Sequence, residues 1–159
     1  MSFMEEAFKL AEEALENNEV PVGCVFVHNG KIISSGRNET NLIKDPTAHA
    51  EMVAIRKMRR EIPDLKQILQ ESELYVTLEP CIMCAAGLFE LGIKKIVYPA
   101  KNPRFGGIES VGSAEKYRVE NVKTEIIYDS KYNDRSIGLL KDFYDRENPF
   151  CPLDKRKIK

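Results

Sequence analysis

Two short stretches constrain this chain more than any others: T-A-H-A-E at 47–51 and E-P-C-I-M-C at 79–84. Together they hold one of its two histidines and two of its four cysteines, so the soft ligand atoms are gathered in two places. Cys81 and Cys84 are spaced i, i+3, which on a helix puts both sulfurs on one face of one turn. Pro80 suits the first position of that helix, which the apolar run Cys81–Leu91 continues. Thr47 is an effective N-cap, so a second helix is expected from Ala48 to about Arg59. Its first turns, Met52-Val53-Ala54-Ile55, are apolar nearly all round, the pattern of a buried helix. A fold that buries both helices with their N-termini at one point would gather His49, Cys81 and Cys84 together.

Imidazole nitrogen and thiolate sulfur are zinc ligands, and a catalytic zinc takes three protein ligands while water holds the fourth position. The positive end of a helix dipole favours thiolate at Cys81 and Cys84. Two other readings compete. A Cys-x-x-Cys pair alone also serves redox chemistry, but the thioredoxin-like pattern that accompanies it does not match the opening of this chain. A histidine at a helix start is commonly a core or capping residue, and only its conjunction with P-C-x-x-C on a second buried helix favours a metal. A closed structural site would need a fourth ligand from Cys24, His28 or Cys151. Cys24 falls in a strand as a small hydrophobe, His28 abuts a turn and is expected to be solvated, and Cys151 lies in a tail, so an open position is expected. Glu51, two residues beyond His49, either complements its helix N-terminus or takes a proton from a water whose pKa zinc lowers to about 7. In the second role it passes the proton to a ring nitrogen and a leaving amino group, the hydrolysis of an amidine-type C–NH2 bond.

The rest of the chain supplies a scaffold. Met4, Ala7, Phe8, Ala11 and Leu15 form one face of a helix over 3–16, which Asn17-Asn18 ends. Cys24–Val27 and Lys31–Ser35 flank Asn29-Gly30, a strong hairpin signal, and the return strand runs out at Gly36-Arg37-Asn38. Residues 39–46 form a loop, and Asp64–Gln70 a short helix. Leu74-Tyr75-Val76 and Ile96-Val97-Tyr98 are strands joined through the Cys81–Leu91 helix as a right-handed parallel βαβ unit. Asn102–Gly107 is a loop, Val122–Tyr128 a fifth strand, and Asn133 to Glu147 a last helix with Ile137, Leu140 and Tyr144 on one stripe. There is no internal repeat: residues 1–148 form one domain and 149–159 a basic tail.

With 159 residues, 43% of them hydrophobic, the chain is long enough for a single buried core. No apolar run approaches the roughly 20 residues of a membrane span, and the acidic amphipathic start is unlike a signal peptide. Cysteines without framework spacing suit reduced thiols in the cytoplasm or nucleus. A net charge of −1 argues against a simple nucleic-acid-binding module and leaves local patches or a partner to supply basic surface.

H-x-E followed by P-C-x-x-C is the signature of the zinc nucleobase deaminases. E-V-P-V-G at 19–23, R-N at 37–38, D-P-T-A-H-A-E at 45–51 and L-Y-V-T-L-E-P-C-I-M-C-A at 74–85 resemble tRNA adenosine deaminases in particular. K-N-P-R-F-G-G-I-E-S-V at 101–111 and F-Y-D-R-E-N-P at 143–149 are similar to the catalytic subunits of the eukaryotic heterodimeric enzymes. The resemblance implies a cytidine-deaminase-like three-layer α/β/α fold, with a mixed five-stranded sheet and helices on both faces. It implies one zinc held by His49, Cys81 and Cys84, Glu51 as proton carrier, and conversion of adenosine to inosine at the tRNA wobble position. It also implies a partner, either a homologous subunit whose glutamate is replaced or a second copy of the chain. By position, Asn38 resembles the residue that bonds the flipped base, and Val22 and Ala48 resemble pocket walls. The basic pair that ends the last helix in bacterial relatives is lost here. Tyr144 either stacks on a base or joins the core. Lys155, Arg156, Lys157 and Lys159 either contact phosphates or solubilise a tail. Arg104 and Phe105 either reach the RNA or fix their loop. The rivals are a free nucleobase or nucleotide deaminase on the same fold and a non-catalytic zinc scaffold.

Overall fold

The structure, a computed structural model, describes residues 2–117, 123–152 and 155. Helix α1 spans Phe3–Glu16, capped by the Ser2 hydroxyl, which accepts the Glu5 N–H at 3.3 Å. Its expected stripe, Met4, Ala7, Phe8, Ala11 and Leu15, is buried. Asn18 then turns the chain with a φ of 58°. Strands β1 (Gly23–His28) and β2 (Lys31–Arg37) pair antiparallel. Asn29 and Gly30 join them at φ 50° and 71°, the left-handed pair that a tight hairpin turn requires.

Helices α2 (Ala50–Glu61) and α3 (Leu65–Gln70) follow, then strand β3 (Glu73–Val76), helix α4 (Ile82–Leu91) and strand β4 (Lys95–Tyr98). Strand β5 (Glu125–Tyr128) and helix α5 (Asn133–Asp145) complete the order. The sheet runs β2-β1-β3-β4-β5, antiparallel across its first three strands and parallel across its last three. This is the mixed five-stranded sheet expected, built from a hairpin and then crossovers.

Side chains alternate across the pleat and sort the helices into two layers. Cys24, Phe26, Leu74, Val76, Ile96 and Tyr98 share one core with Ala50, Ala54 and Met58 of α2 and Ala85, Leu88 and Phe89 of α4. Val97 turns the other way, onto Met4, Ala7 and Phe8 of α1, with Tyr75, Ile127 and Leu139 of α5 alongside. Gly36 lets α2 lie directly on β2, because a Cβ there would overlap the Ala50 carbonyl oxygen.

The two helices expected to carry the ligands both begin later than their local signals predict. The cap residue of α2 is His49, not Thr47. The Thr47 hydroxyl instead bonds Asp45 at 2.6 Å and accepts from Arg56 at 2.7 Å, so it is spent on the preceding turn. Likewise Cys81 caps α4, which places Pro80 before the helix and not at its first position. Strand β5 begins at Glu125, and the expected start at Val122 lies outside the described residues. Helix α5 stops at Asp145, two residues short of the expected Glu147. Among the described residues, no helix is long and apolar enough to cross a membrane.

Candidate active site

His49 and Cys81 hold the N-cap positions of α2 and α4, yet neither side chain caps its own helix. A cap residue ordinarily spends its side chain on the first free amides; these two point at each other. His49 Nδ1 lies 3.4 Å from Cys81 Sγ and 3.6 Å from Cys84 Sγ, and the three ligand atoms fall within 4.8 Å of one another. Zn–S bonds near 2.3 Å and Zn–N bonds near 2.0–2.1 Å at tetrahedral angles put nitrogen and sulfur about 3.5 Å apart. The donor set and its spacing therefore fit zinc.

The thiols are electrostatically linked. The Cys84 hydrogen bond, with His49 beside it, holds Cys81 down to about 4 as a thiolate. Cys84 is pushed up by Cys81 and by burial, and the Cys81 hydrogen bond raises His49. A coordinating divalent ion draws the remaining thiol proton off as well. Glu51, in the first turn of α2, is 3% exposed, and burial raises its carboxyl above the ordinary value.

Among the described residues the ligand cluster contains no fourth member. Cys24 is fully buried in the sheet core. His28 is less solvated than expected, with Nε2 3.3 Å from Glu71. Cys151 stands in the tail, outside the cluster.

His49, Cys81 and Glu51 open onto a cavity of about 570 Å³, within the range of small-molecule sites. Val22 and Asn38 line it on one side, and Arg104 and Phe105 on another. The α5 stripe of Ile137, Leu140 and Tyr144 supplies a further wall, and Tyr144 is 65% exposed. Of the two alternatives for Tyr144, the core is therefore excluded. Ala48, expected on the pocket wall, is fully buried and contributes no surface to it. Lys155 is exposed, while Arg156, Lys157 and Lys159 lie outside the described residues.

Two residues that organise this cavity are quoted in the motifs but given no role by sequence reasoning. Glu19 is buried and accepts from Asn38 Nδ2 (3.2 Å), Thr40 Oγ1 (3.2 Å) and the amides of Asn41 (2.9 Å) and Leu42 (2.8 Å). Glu79 is buried too and accepts from the amides of Asn102, Ile108, Glu109 and Ser110. Burial opposes ionisation of Glu79, but these bonds hold its carboxyl below the ordinary value. Each anchors a loop on the cavity rim. The signal available in the sequence was a lone acid against apolar and proline neighbours, Glu19-Val20-Pro21 and Leu78-Glu79-Pro80, since a carboxylate in such a setting needs buried donors.

Comparison with known proteins agrees with this geometry. Residues 1–100 match the family model of the cytidine and deoxycytidylate deaminase zinc-binding region. The chain is 45% identical to tRNA-specific adenosine deaminase 2 of Danio rerio, over 97% of this chain and 74% of that one. It is 40% identical to the protein of the same name from Xenopus tropicalis, over 99% and 96%. A solved structure from studies of A-to-I editing by tRNA:A34 deaminases superposes with a TM-score of 0.70 at 34% identity, covering 79% of this chain and 95% of that one. The chain belongs to the tRNA-specific adenosine deaminases, within the zinc-dependent cytidine and deoxycytidylate deaminase family.

Proposed function

We propose that this chain hydrolyses the 6-amino group of adenosine at the wobble position of tRNA anticodons, giving inosine and ammonia. The observation that carries the reading is the buried Glu51 carboxyl, which opens with His49 and Cys81 onto one cavity of suitable size for a nucleobase. His49, Cys81 and Cys84 hold zinc, which supplies the Lewis acidity that makes water nucleophilic near neutral pH.

Glu51 then moves the protons. Its carboxylate accepts one from the attacking water and delivers it to the ring nitrogen. It then takes the second from the hydroxyl added at the reacting carbon and passes it to the departing amine, which leaves as ammonia. Burial raises its carboxyl above the ordinary value. Asn38, fastened by Glu19, and Val22 receive the base once it has left its stack, and an anticodon loop makes that extrusion cheaper than a duplex would. Tyr144 and Phe105 offer exposed rings for neighbouring bases, and Arg104 a cation for phosphate. Residues 1–148 form the catalytic domain, and 149–159, with Lys155, Arg156, Lys157 and Lys159, the tail that contacts the RNA backbone.

The partner is a homologous, non-catalytic deaminase subunit, which supplies basic surface that a chain of net charge −1 lacks. The setting is the cytoplasm or nucleus. Incubating the protein with a tRNA anticodon stem-loop beside free adenosine, cytidine and guanine tests the substrate. Inosine at the wobble position is expected, and turnover confined to a free base or nucleoside refutes the reading. Co-purification and mass measurement of the assembly test the partner, with a dimer of identical chains as the contrary result.

A further inference from the structure

Glu79 is 1% exposed, between β3 and α4. A buried carboxylate survives only if its lone pairs are met. Here the donors come from one loop. Asn102 N–H reaches Oε2 at 2.9 Å, and the Ser110 hydroxyl bonds the same oxygen. The N–H groups of Ile108, Glu109 and Ser110 reach Oε1 at 3.1, 2.8 and 3.0 Å. Converging backbone amides of this kind form a nest for an anion, and in this chain the anion is its own side chain.

The carboxylate grips the loop at both ends, Asn102 and 108–110, and leaves Pro103, Arg104 and Phe105 exposed as its tip. Arg104 and Phe105 line the cavity, and Phe105 is 58% exposed. Gly106 is bare for a steric reason: a Cβ there would overlap the Glu79 carboxylate. The loop is also tied to the start of α4, by Ile82 N–H to the Phe105 carbonyl (2.9 Å) and Gly107 N–H to the Pro80 carbonyl (2.8 Å). Those two bonds do not involve the carboxylate, so the metal-bearing helix retains its own ties if the charge is lost.

We propose that Glu79 is a positioning residue for substrate engagement, fixing the 101–110 loop so that Arg104 and Phe105 stand ready at the cavity mouth for the anticodon loop. This rests on the tRNA reading above. Glu79 acts through the loop, and the chemical step stays with Glu51. Glutamine keeps the volume of Glu79 but turns one acceptor oxygen into a donor that faces donors.

The test compares the wild type with Glu79→Gln, Glu79→Asp and Ser110→Ala, the last a milder change that removes one hydroxyl. Zinc content, amide hydrogen exchange, and kcat and KM on a tRNA anticodon stem-loop are measured for each. For Glu79→Gln, zinc stays at one per chain and exchange at Asn102, Ile108, Glu109 and Ser110 rises about tenfold or more. KM rises about tenfold while kcat falls less than about threefold. Glu79→Asp, which keeps the charge, recovers part of the loss, and Ser110→Ala lies between it and the wild type. Unchanged exchange overturns the anchoring itself, and raised exchange with unchanged KM overturns its link to RNA. Zinc loss with a parallel fall in kcat shows that Glu79 serves the metal helix instead. A wild type inactive on the stem-loop overturns the substrate reading on which the proposal rests.

Discussion

Gly36→Ala offers a quantitative test of how the scaffold aims the site. A Cβ at position 36 would overlap the Ala50 carbonyl oxygen and stand 3.0 Å from the Ala54 amide nitrogen. Both are helix backbone atoms, so no side-chain rotation relieves the clash and α2 must lift from β2. Overpacking of this kind costs about 1–3 kcal/mol. In a domain of this size each kcal/mol lowers the melting temperature by roughly 2–4 °C, so a fall of about 2–12 °C is expected. The lift also reaches function, because His49, a zinc ligand, is the cap residue of α2 and Glu51 stands in its first turn. A displacement approaching 1 Å at such groups costs up to about a hundredfold in rate. Differential scanning fluorimetry and inosine formation on an anticodon stem-loop read both effects. A variant that melts with the wild type and turns over at the wild-type rate refutes the claim that close contact of α2 with β2 places the site.

Tyr144→Ala should weaken stem-loop binding by about 1–3 kcal/mol, roughly 5- to 150-fold in KM, with zinc content unchanged, as steady-state kinetics would reveal. Stripping zinc with a strong chelator should abolish deamination and expose Cys81 to a thiol reagent while Cys24 and Cys84, both fully buried, stay protected; one equivalent of zinc should reverse both effects. Glu73 is held below its ordinary 4.5: burial opposes this, but the Tyr75 hydroxyl and Lys95 prevail. Its stabilisation is present above pH 4.5 and lost as the pH falls through the lowered value, so Glu73→Gln should flatten that part of the acid limb in urea unfolding.

The parts of this molecule legible in its sequence are those set by short-range chemistry. Asn29-Gly30 specifies its turn through two left-handed residues, and the α1 stripe specifies its buried face through periodicity alone. The two cysteine ligands were legible because a spacing of three across a helix start brings both sulfurs to one side. What stayed hidden depends on distant partners. Thr47 and Pro80 carry good local signals for helix starts, yet His49 and Cys81 take the cap positions, with their side chains turned to each other across the domain. Ile137, Leu140 and Tyr144 form the same stripe whether it faces a core or a cavity, and only the neighbouring elements decide. Glu79 gains its meaning from amides 23 to 31 residues away, which no local pattern displays.

Zinc content and inosine yield in Glu51→Gln bear most directly on the account as a whole. The ligand atoms belong to His49, Cys81 and Cys84, so the variant should keep one zinc per chain, while losing its proton carrier should cut wobble deamination by about 10²- to 10⁴-fold. Full zinc with wild-type inosine formation would contradict the role given to Glu51, and loss of the metal would show that this carboxyl belongs to the coordination sphere.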